Sequence, residues 1–264
     1  MDEDGRATGT LLVNDDGIDA PGLRLLEAAV GTDFGAVTVV APTDERSGAS
    51  HAISASHPVR LHRRDDRHVA VHGTPTDCVL LAWYELMARA RPGLVLSGIN
   101  RGANLAEDVI YSGTVAAAIE GALLGARSVA LSQVVSLEAG ARTQWETARR
   151  MLPEVLDFLV AQPWPEGILY NVNFPDCPPE AVRGMRITAA GRRPPGAFQP
   201  LRAVDGRNVP LYWIRLSYPE GAAPPGSDLE AIADNAVSIT PLQLDLTAHR
   251  HAARLADALG GHGG

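Results

Sequence analysis

The sequence predicts an α/β protein of three layers, in which helices cover both faces of a mostly parallel sheet. Short apolar runs alternate with helical patterns up to about residue 176, as the β-α-β units of a parallel sheet require. The chain has 264 residues, 45% of them hydrophobic and 20% charged, which suits one large domain or a domain with an appendage. We therefore expect a ligand site beyond the carboxyl ends of the strands.

The first elements form a β-loop-α unit. Residues 10–13 are short, apolar and β-prone, and residues 21–30 carry leucine and alanine at helical spacing. A second apolar run, AVTVVA at 36–41, ends at a proline and predicts another strand. Residues 59–61 and 68–71 flank the charged RRDDR, a pattern typical of a hairpin with a solvated turn.

The alternation continues through the second half of the core. PTDCVLLAWYELM, residues 75–87, predicts a helix with proline in its first turn. LVLS at 94–97 predicts a strand that runs into a loop rich in glycine and asparagine. The remaining core elements are a small-residue helix, a strand, a helix and a strand, at 114–126, 128–131, 139–161 and 168–172.

The composition changes after residue 176, where PDCPPE, RRPPG and PEGAAPPG are rich in proline and glycine. VPLYWIRL resembles a hairpin arm, and TAHRHAARLADAL predicts a closing helix. We therefore divide the chain into a core, residues 1–176, and a C-terminal extension, residues 177–264, whose hairpin arms make oligomer contacts.

Composition disfavours several classes of protein. The formal net charge of −8 argues against binding duplex nucleic acid, and all 23 basic residues are arginine, which rules out a P-loop lysine or a Schiff base. Neither GxGxxG after the first strand nor GxSxG occurs, and the five histidines from His51 to His72 lack zinc-site spacing. We expect a cytoplasmic protein without membrane contact, because we find no signal peptide, no bilayer-length apolar run and only two distant cysteines.

Oxygen-bearing side chains follow three of the predicted strands. Asp15 and Asp16 follow the first strand, Ser47 follows the second, and Asn100 follows LVLS. Because these loops meet at one edge of a parallel sheet, the set predicts one Mg²⁺ or Mn²⁺ ion. Taken singly, each residue also fits an ordinary turn, cap or loop position.

The adjacent carboxylates of Asp15 and Asp16 repel each other, and a divalent cation would relieve that repulsion. Without the ion, we expect a strained or mobile NDDG loop in which one carboxylate is harder to ionise.

A second half of the site is predicted where YSGTVAAAIEG begins a helix. Ser112, Gly113 and Thr114 would present hydroxyls and unpaired backbone N–H groups, which is the geometry that holds a phosphate. A plain serine or threonine N-cap fits the same residues.

The sequence resembles the survival protein E (SurE) family. The resemblance rests on LLVNDDGIDAPG, VVAPTDERSGASHAIS, HGTPTDCV, LVLSGINRGANLAEDVIYSGTVAAAIEG, NVNFP and VSITPLQLDLTAH, which follow in that family's order from residue 11 to residue 249. It implies a metal-dependent phosphatase acting on nucleoside 5′-monophosphates, with activity on 3′-nucleotides and short polyphosphate. It also implies a Rossmann-like core and a protruding C-terminal part that builds homodimers or homotetramers.

The resemblance also assigns residues. Asp15, Asp16, Ser47 and Asn100 match the metal ligands, while Asn104 and the turn from Ser112 to Thr114 match positions near the bound phosphate. Asp15, Asp16 and Asn104 are thus the expected catalytic residues, and Asp16 either binds the ion or also orients the attacking water.

Two departures from the family pattern bear on packing. Ala106 replaces the glycine that usually follows NL, so the loop that holds Asn104 is expected to sit slightly differently. Asp234, Asn235 and Ala236 stand before VSITPL, where a glycine and an aromatic residue are usual. Neither departure touches a proposed ligand.

Two other functions fit the same residues. A covalent aspartyl-phosphate mechanism usually needs aspartates two positions apart, whereas Asp15 and Asp16 are adjacent. A non-catalytic sensor would bind a nucleotide with the metal ion and release no phosphate. Phosphate release that depends on the metal distinguishes the enzyme from the sensor.

Overall fold

A nine-stranded, mostly parallel sheet forms the centre of the computed structural model, which describes residues 9–31, 34–136, 142–194, 198–216 and 222–260. The strands of this sheet are β1 (Gly9–Val13), β2 (Ala36–Pro42), β3 (Arg60–Arg63), β4 (His68–His72), β5 (Leu94–Arg101), β6 (Arg127–Gln133), β7 (Ile168–Phe174), β8 (Met185–Ile187) and β11 (Val237–Gln243). Their order is β3-β4-β2-β1-β5-β6-β7-β11-β8. Within it β3 runs antiparallel to β4 and β11 to β7, and the other pairs are parallel.

Helices cover both faces of the sheet, as predicted. The helices of the described ranges are α1 (Pro21–Val30), α2 (Pro75–Leu81), α3 (Asp108–Tyr111), α4 (Gly113–Leu123), α5 (Trp145–Val160), α6 (Asp228–Ala233) and α7 (His249–Gly260), the last of which is exposed. Successive side chains of β1 enter opposite cores, because side chains alternate along a strand. Leu12 belongs to the core with α1 and α5, and Leu11 to the core with α2 and α4.

The position of β1 determines where the ligand site lies. β1 pairs with β2 on one side and with β5 on the other, and all three strands are parallel. The chain order therefore reverses at β1, and a crevice opens beyond the carboxyl ends of β1 and β5. Ligands of open α/β sheets bind in such a crevice.

Most predicted elements of the core are observed, and several of them have different ends. The strand predicted at 94–97 continues to Arg101 through an irregularity between Ser97 and Asn100. The helix predicted at 75–87 is α-helical only to Leu81 and continues as a π-helical turn, Ala82–Leu86. The helix predicted at 139–161 begins at Trp145, and residues 139–141 lie outside the described ranges.

The chain after residue 176 contributes to two structures. β9 (Phe198–Val204) and β10 (Pro210–Leu216) form the predicted hairpin as a separate two-stranded sheet, and α7 is the predicted closing helix. β8 and β11, which sequence analysis did not identify, join the main sheet, and Ile239 of β11 lies in its core. The domain division at residue 176 stays a prediction.

Within the described ranges, none of the helices combines the length and the apolar character needed to cross a bilayer.

Candidate active site

The turn after β1 is built by its own side chains. Asn14 is buried, and its Nδ2 donates to the carbonyl of Gly17 at 2.8 Å. Gly17 has a φ of +100°, a conformation that glycine adopts without steric cost, and Ile18 N donates to Pro42 O at 2.8 Å. The turn therefore fixes Asp15 and Asp16 at the carboxyl end of β1.

Asp15 lies directly against the start of α4. Its carboxylate is 4% exposed, and Oδ1 accepts a hydrogen bond from Thr114 Oγ1 at 2.5 Å. A Cβ at position 113 would lie 2.9 Å from Asp15 Cβ, so Gly113 permits this close approach. Burial raises the pKa of Asp15 to about 6, while the hydrogen bond from Thr114 acts in the opposite direction.

Asp16 links β1 to β5. It is half-buried, and its Oδ2 accepts a hydrogen bond from the backbone N–H of Arg101 at 3.0 Å. Burial raises the pKa of Asp16, and this hydrogen bond opposes the shift. We expected one of the two carboxylates to be harder to ionise because of their mutual repulsion. Both are harder to ionise, and the main cause is burial. The charge of Asp16 makes a smaller contribution at Asp15 than burial does.

Asn100 lies at the irregular end of β5, opposite Ser132 of β6. Its Nδ2 donates to the carbonyl of Gly102 at 3.0 Å, which leaves the amide oxygen as the group able to bind a cation. Arg101, which follows Asn100, donates its backbone N–H to Asp16. Asn100 therefore belongs to the same crevice as the aspartates.

Ser47 lies in the loop after β2, and its side chain is exposed. Its Oγ donates to Glu45 Oε1 at 2.8 Å, so the hydroxyl keeps its lone pairs for a cation. The preceding residue, Arg46, donates its backbone N–H to Asp15 O at 2.7 Å. The structure thus brings the loop of Ser47 to Asp15, although the Ser47 side chain bonds elsewhere.

The donor chemistry fits a hard divalent cation. Two carboxylates, an amide oxygen and a hydroxyl are the oxygen ligands that Mg²⁺ and Mn²⁺ accept, and water completes such a sphere. The buried Oδ1 of Asn14, beside Asp15, forms no hydrogen bond with any described residue, so the turn still has an acceptor to satisfy. Asp15, Asp16, Asn100 and Ser47 are therefore the residues that could hold the ion.

The helix start at Ser112 acts first as a structural cap. Ser112 Oγ accepts a hydrogen bond from Val115 N at 3.0 Å, so the N-cap interpretation is confirmed for this side chain. The Thr114 hydroxyl is bonded to Asp15. The Thr114 backbone N–H also interacts with the Asp15 carboxylate. The group that could receive a phosphate is the backbone N–H of Gly113, because first-turn N–H groups have no intrahelical acceptor.

Asn104 lies beyond the ends of β6 and β7 and is 5% exposed. Its Nδ2 donates to Ser132 Oγ at 2.8 Å, and its backbone N–H donates to Asn173 Oδ1 at 2.9 Å. Its carbonyl accepts from Asn171 Nδ2 at 2.7 Å. These three partners were not identified as site residues from sequence; the signal was NVNF, which places asparagines on one face of a buried strand.

Both departures from the family pattern fall at left-handed positions. Ala106 has a φ of +52° and Asn235 a φ of +59°. Asparagine adopts this region more readily than other residues with a Cβ, whereas alanine does so at a cost. The replacement of glycine at position 106 is therefore accommodated without leaving the left-handed conformation.

Comparisons with known proteins show which proteins this chain is similar to. The model of the family described as Survival protein SurE matches residues 10–196. The 5′-nucleotidase SurE of Parvibaculum lavamentivorans is 46% identical over 250 residues, covering 95% of this chain and 90% of its own. That of Chelativorans sp. is 50% identical over 250 residues, covering 94% and 98%. The crystal structure of the Sure protein from Aquifex aeolicus superposes with a TM-score of 0.78 at 36% identity, covering 92% and 96%.

Proposed function

The chain belongs to the survival protein SurE family, and on that premise we propose that it is a 5′-nucleotidase, a phosphatase that converts nucleoside 5′-monophosphates to nucleoside and phosphate. We extend the proposal to 3′-nucleotides and short polyphosphate as further substrates. The contact between Asp15 and Thr114 carries the proposal, because it joins a cation-binding carboxylate to a phosphate-binding helix start.

The proposed cofactor is one Mg²⁺ or Mn²⁺ ion per subunit, with Asp15, Asp16, Ser47 and Asn100 as its ligands. When bound, such an ion polarises a phosphoryl oxygen and lowers the pKa of a coordinated water. The ion also supplies positive charge to a chain whose formal net charge is −8, which would otherwise repel a phosphomonoester.

The protein's own groups position the substrate. The backbone N–H of Gly113 binds a phosphoryl oxygen at the positive end of α4, next to the Thr114 N–H that interacts with Asp15. The amide of Asn104 keeps a second N–H for the same phosphoryl group while its first is bonded to Ser132. The Thr114 hydroxyl fixes the orientation of Asp15. Asp16, which is held by Arg101 N–H, orients the attacking water.

The C-terminal hairpin is the proposed contact between subunits of a homodimer or homotetramer. Tyr212, Trp213 and Ile214 of β10 are 63%, 66% and 69% exposed, and they project from a sheet of two strands. An isolated two-stranded hairpin is marginally stable in water, so a second copy that covers these side chains would stabilise it.

Phosphate release tests the proposal. Purified protein is incubated with AMP and with p-nitrophenyl phosphate, with Mn²⁺ or Mg²⁺, before and after EDTA. We expect release that needs the metal ion and falls at least about a hundredfold in Asp15→Asn, because a ligand carboxylate contributes several kcal/mol.

Asp19→Asn is the matched control, since Asp19 lies in the same loop, is exposed and binds Arg64 instead. Its activity should equal that of the original protein. If a well-folded sample binds AMP with Mn²⁺ but releases no phosphate, the chain is a sensor. A phosphorylated Asp15 or Asp16 detected by mass spectrometry would contradict the water mechanism.

A further inference from the structure

The loop that carries Asn104 contains an alanine in an unfavourable backbone conformation. Ala106 has a φ of +52° and is 4% exposed. For a residue with a Cβ this left-handed region is unfavourable, and such residues persist where their surroundings hold them. Something in the structure must therefore hold Ala106.

Asp228, the first residue of α6, provides the holding contact. Its Oδ2 accepts a hydrogen bond from Ala106 N at 2.8 Å, although the two residues are 122 positions apart. Its Oδ1 accepts from Gly191 N and from Leu229 N, each at 2.8 Å. The Asp228 carboxylate is fully buried, so backbone N–H groups replace the water that would otherwise solvate it.

The segment around Asp228 is itself fixed. Asp228 N donates to Ala189 O at 2.9 Å, and Ser227 caps α6 by accepting from Glu230 N. A Cβ at position 191 would lie 2.8 Å from Asp228 Oδ1, so Gly191 permits its segment to approach Asp228. The carboxylate is thus a rigid anchor from the C-terminal part of the chain.

The anchored residue lies two positions from Asn104. On one side of the turn, Asn104 is held by Ser132, Asn171 and Asn173 of the main sheet. On the other side, Ala106 is held by Asp228. The two sets of contacts fix the direction in which the Asn104 amide points.

We propose that Asp228 is a positioning residue of the active site, which holds Ala106 in the left-handed conformation and thereby orients Asn104 toward the phosphoryl group. This inference rests on the proposed function, since Asn104 acts only if the site hydrolyses a phosphate ester. Asp228 does not touch the substrate; it acts through Ala106.

Asp228→Asn removes this contact selectively. An amide has one oxygen and one NH₂ group, so it cannot accept on both sides. Placing the oxygen toward Gly191 and Leu229 keeps two hydrogen bonds and turns the NH₂ toward the Ala106 N–H. Two donors then face each other, so the Ala106 N–H loses its hydrogen-bond acceptor.

A double-mutant cycle with Ala106→Gly tests the inference. Glycine adopts the left-handed conformation without help, so it needs the Asp228 contact less. With AMP and Mn²⁺, we expect Asp228→Asn to lower kcat/KM by roughly 10- to 100-fold, the range for residues that orient a site. In the Ala106→Gly background the same substitution should lower kcat/KM less than about threefold, and in an Asn104→Ala background less than about twofold.

Two further measurements exclude a general loss of stability. Asp234→Asn is the matched control, because Asp234 follows α6 but binds Arg186 at the surface; its kcat/KM should not change. Hydrogen exchange should accelerate in a peptide covering residues 102–107 of Asp228→Asn and stay unchanged in β6 and β7. If Asp228→Asn does not fold, Gly191→Ala replaces it, since the added methyl displaces the same carboxylate.

Each outcome has one meaning. Equal losses from Asp228→Asn with alanine or glycine at position 106 would overturn the inference, as would unchanged exchange of residues 102–107. An original protein that releases no phosphate from AMP would instead refute the proposed function. The exchange experiment would then still decide whether Asp228 holds the loop.

Discussion

Thr114 Oγ1 donates a hydrogen bond of 2.5 Å to Asp15 Oδ1, across 99 positions of sequence. The contact joins the carboxyl end of β1 to the amino end of α4, and both residues are buried. The backbone N–H of Thr114 also interacts with the Asp15 carboxylate, and Asp15 Oδ2 lies close to Gly113. The start of α4 therefore fixes the orientation of Asp15, and the Thr114 hydroxyl is the side-chain group that does so.

Removing that hydroxyl should lower activity without unfolding the protein. We expect Thr114→Val to reduce kcat/KM for AMP by roughly 10- to 100-fold, because Asp15 loses the group that orients it. Thr114→Ser keeps the hydroxyl and should retain at least about a third of the activity. Steady-state kinetics with circular dichroism spectra measure both variants. Equal activity of the valine and serine variants would contradict an orienting role for the hydroxyl.

The pKa of Asp15 predicts how the stability of the metal-free protein depends on pH. Folding raises this pKa from 3.8 to about 6, so the folded state holds the proton more tightly than the unfolded chain does. Burying the charged form is unfavourable, and stability is therefore lost as pH rises from about 4 to about 6 and stays lost above that. In EDTA at pH 8, Asp15→Asn should be more stable than the original protein by on the order of 2 kcal/mol.

Urea unfolding in EDTA at pH 2, 4, 6 and 8 measures this difference. The two proteins should differ least at pH 4, where the carboxyl is protonated in the folded state and only about half ionised in the unfolded chain. Asp19→Asn is again the control, because the Arg64 guanidinium lowers the pKa of Asp19 to about 2. The loss of stability caused by Asp19→Asn should be larger at pH 8 than at pH 2. If the free energies of unfolding of Asp15→Asn and the original protein change with pH in the same way, the prediction is wrong.

Gly113 should not tolerate a side chain. A Cβ there would lie 2.9 Å from Asp15 Cβ and 3.0 Å from Asp15 Oδ2, closer than unstrained packing allows. We expect Gly113→Ala to displace Asp15, to abolish most of the activity, and to cost about 1–3 kcal/mol of stability. Gly9→Ala is the control, since its Cβ would meet Ala36 O at an ordinary 3.5 Å. Kinetics and thermal unfolding of both variants would show whether the close approach matters.

The proposed contact through the β9–β10 hairpin predicts the molar mass of the protein in solution. Replacing Tyr212 and Ile214 by glutamate should convert a dimer or tetramer to a smaller species in light scattering, because two charges would be buried in the contact. Tyr84→Glu changes a tyrosine that is 59% exposed and distant in sequence, and should leave the mass unchanged. A monomeric original protein would contradict the proposed assembly.

Local patterns were enough to predict the central layers. α1 begins and ends where its leucine spacing and Pro21 predicted, and the hairpin around RRDDR is formed by β3 and β4. These elements depend on periodicity and turn residues within a few positions of each other. The crevice followed from the same patterns, since parallel strands place their carboxyl ends at one edge.

Contacts between distant segments were not predicted from these patterns. β11 pairs with β7, although 65 positions separate Asn173 from its partner Ser238. The ring of Ser132, Asn171 and Asn173 around Asn104 likewise depends on the order of strands, which periodicity does not encode. The orientation of the Ser47 hydroxyl toward Glu45 depends on loop geometry that one residue type does not specify.

The order in which the chain leaves the ribosome has a consequence for when this site is complete. Asp15, Asn100 and Thr114 all lie in the first half of the chain and can meet once β1, β5 and α4 have formed. Asp228 and β11 lie roughly 100 residues after Thr114. At typical elongation rates the ribosome adds that many residues in about 5–20 s. A nascent chain would therefore contain the carboxylates before the loop of Asn104 has its anchor.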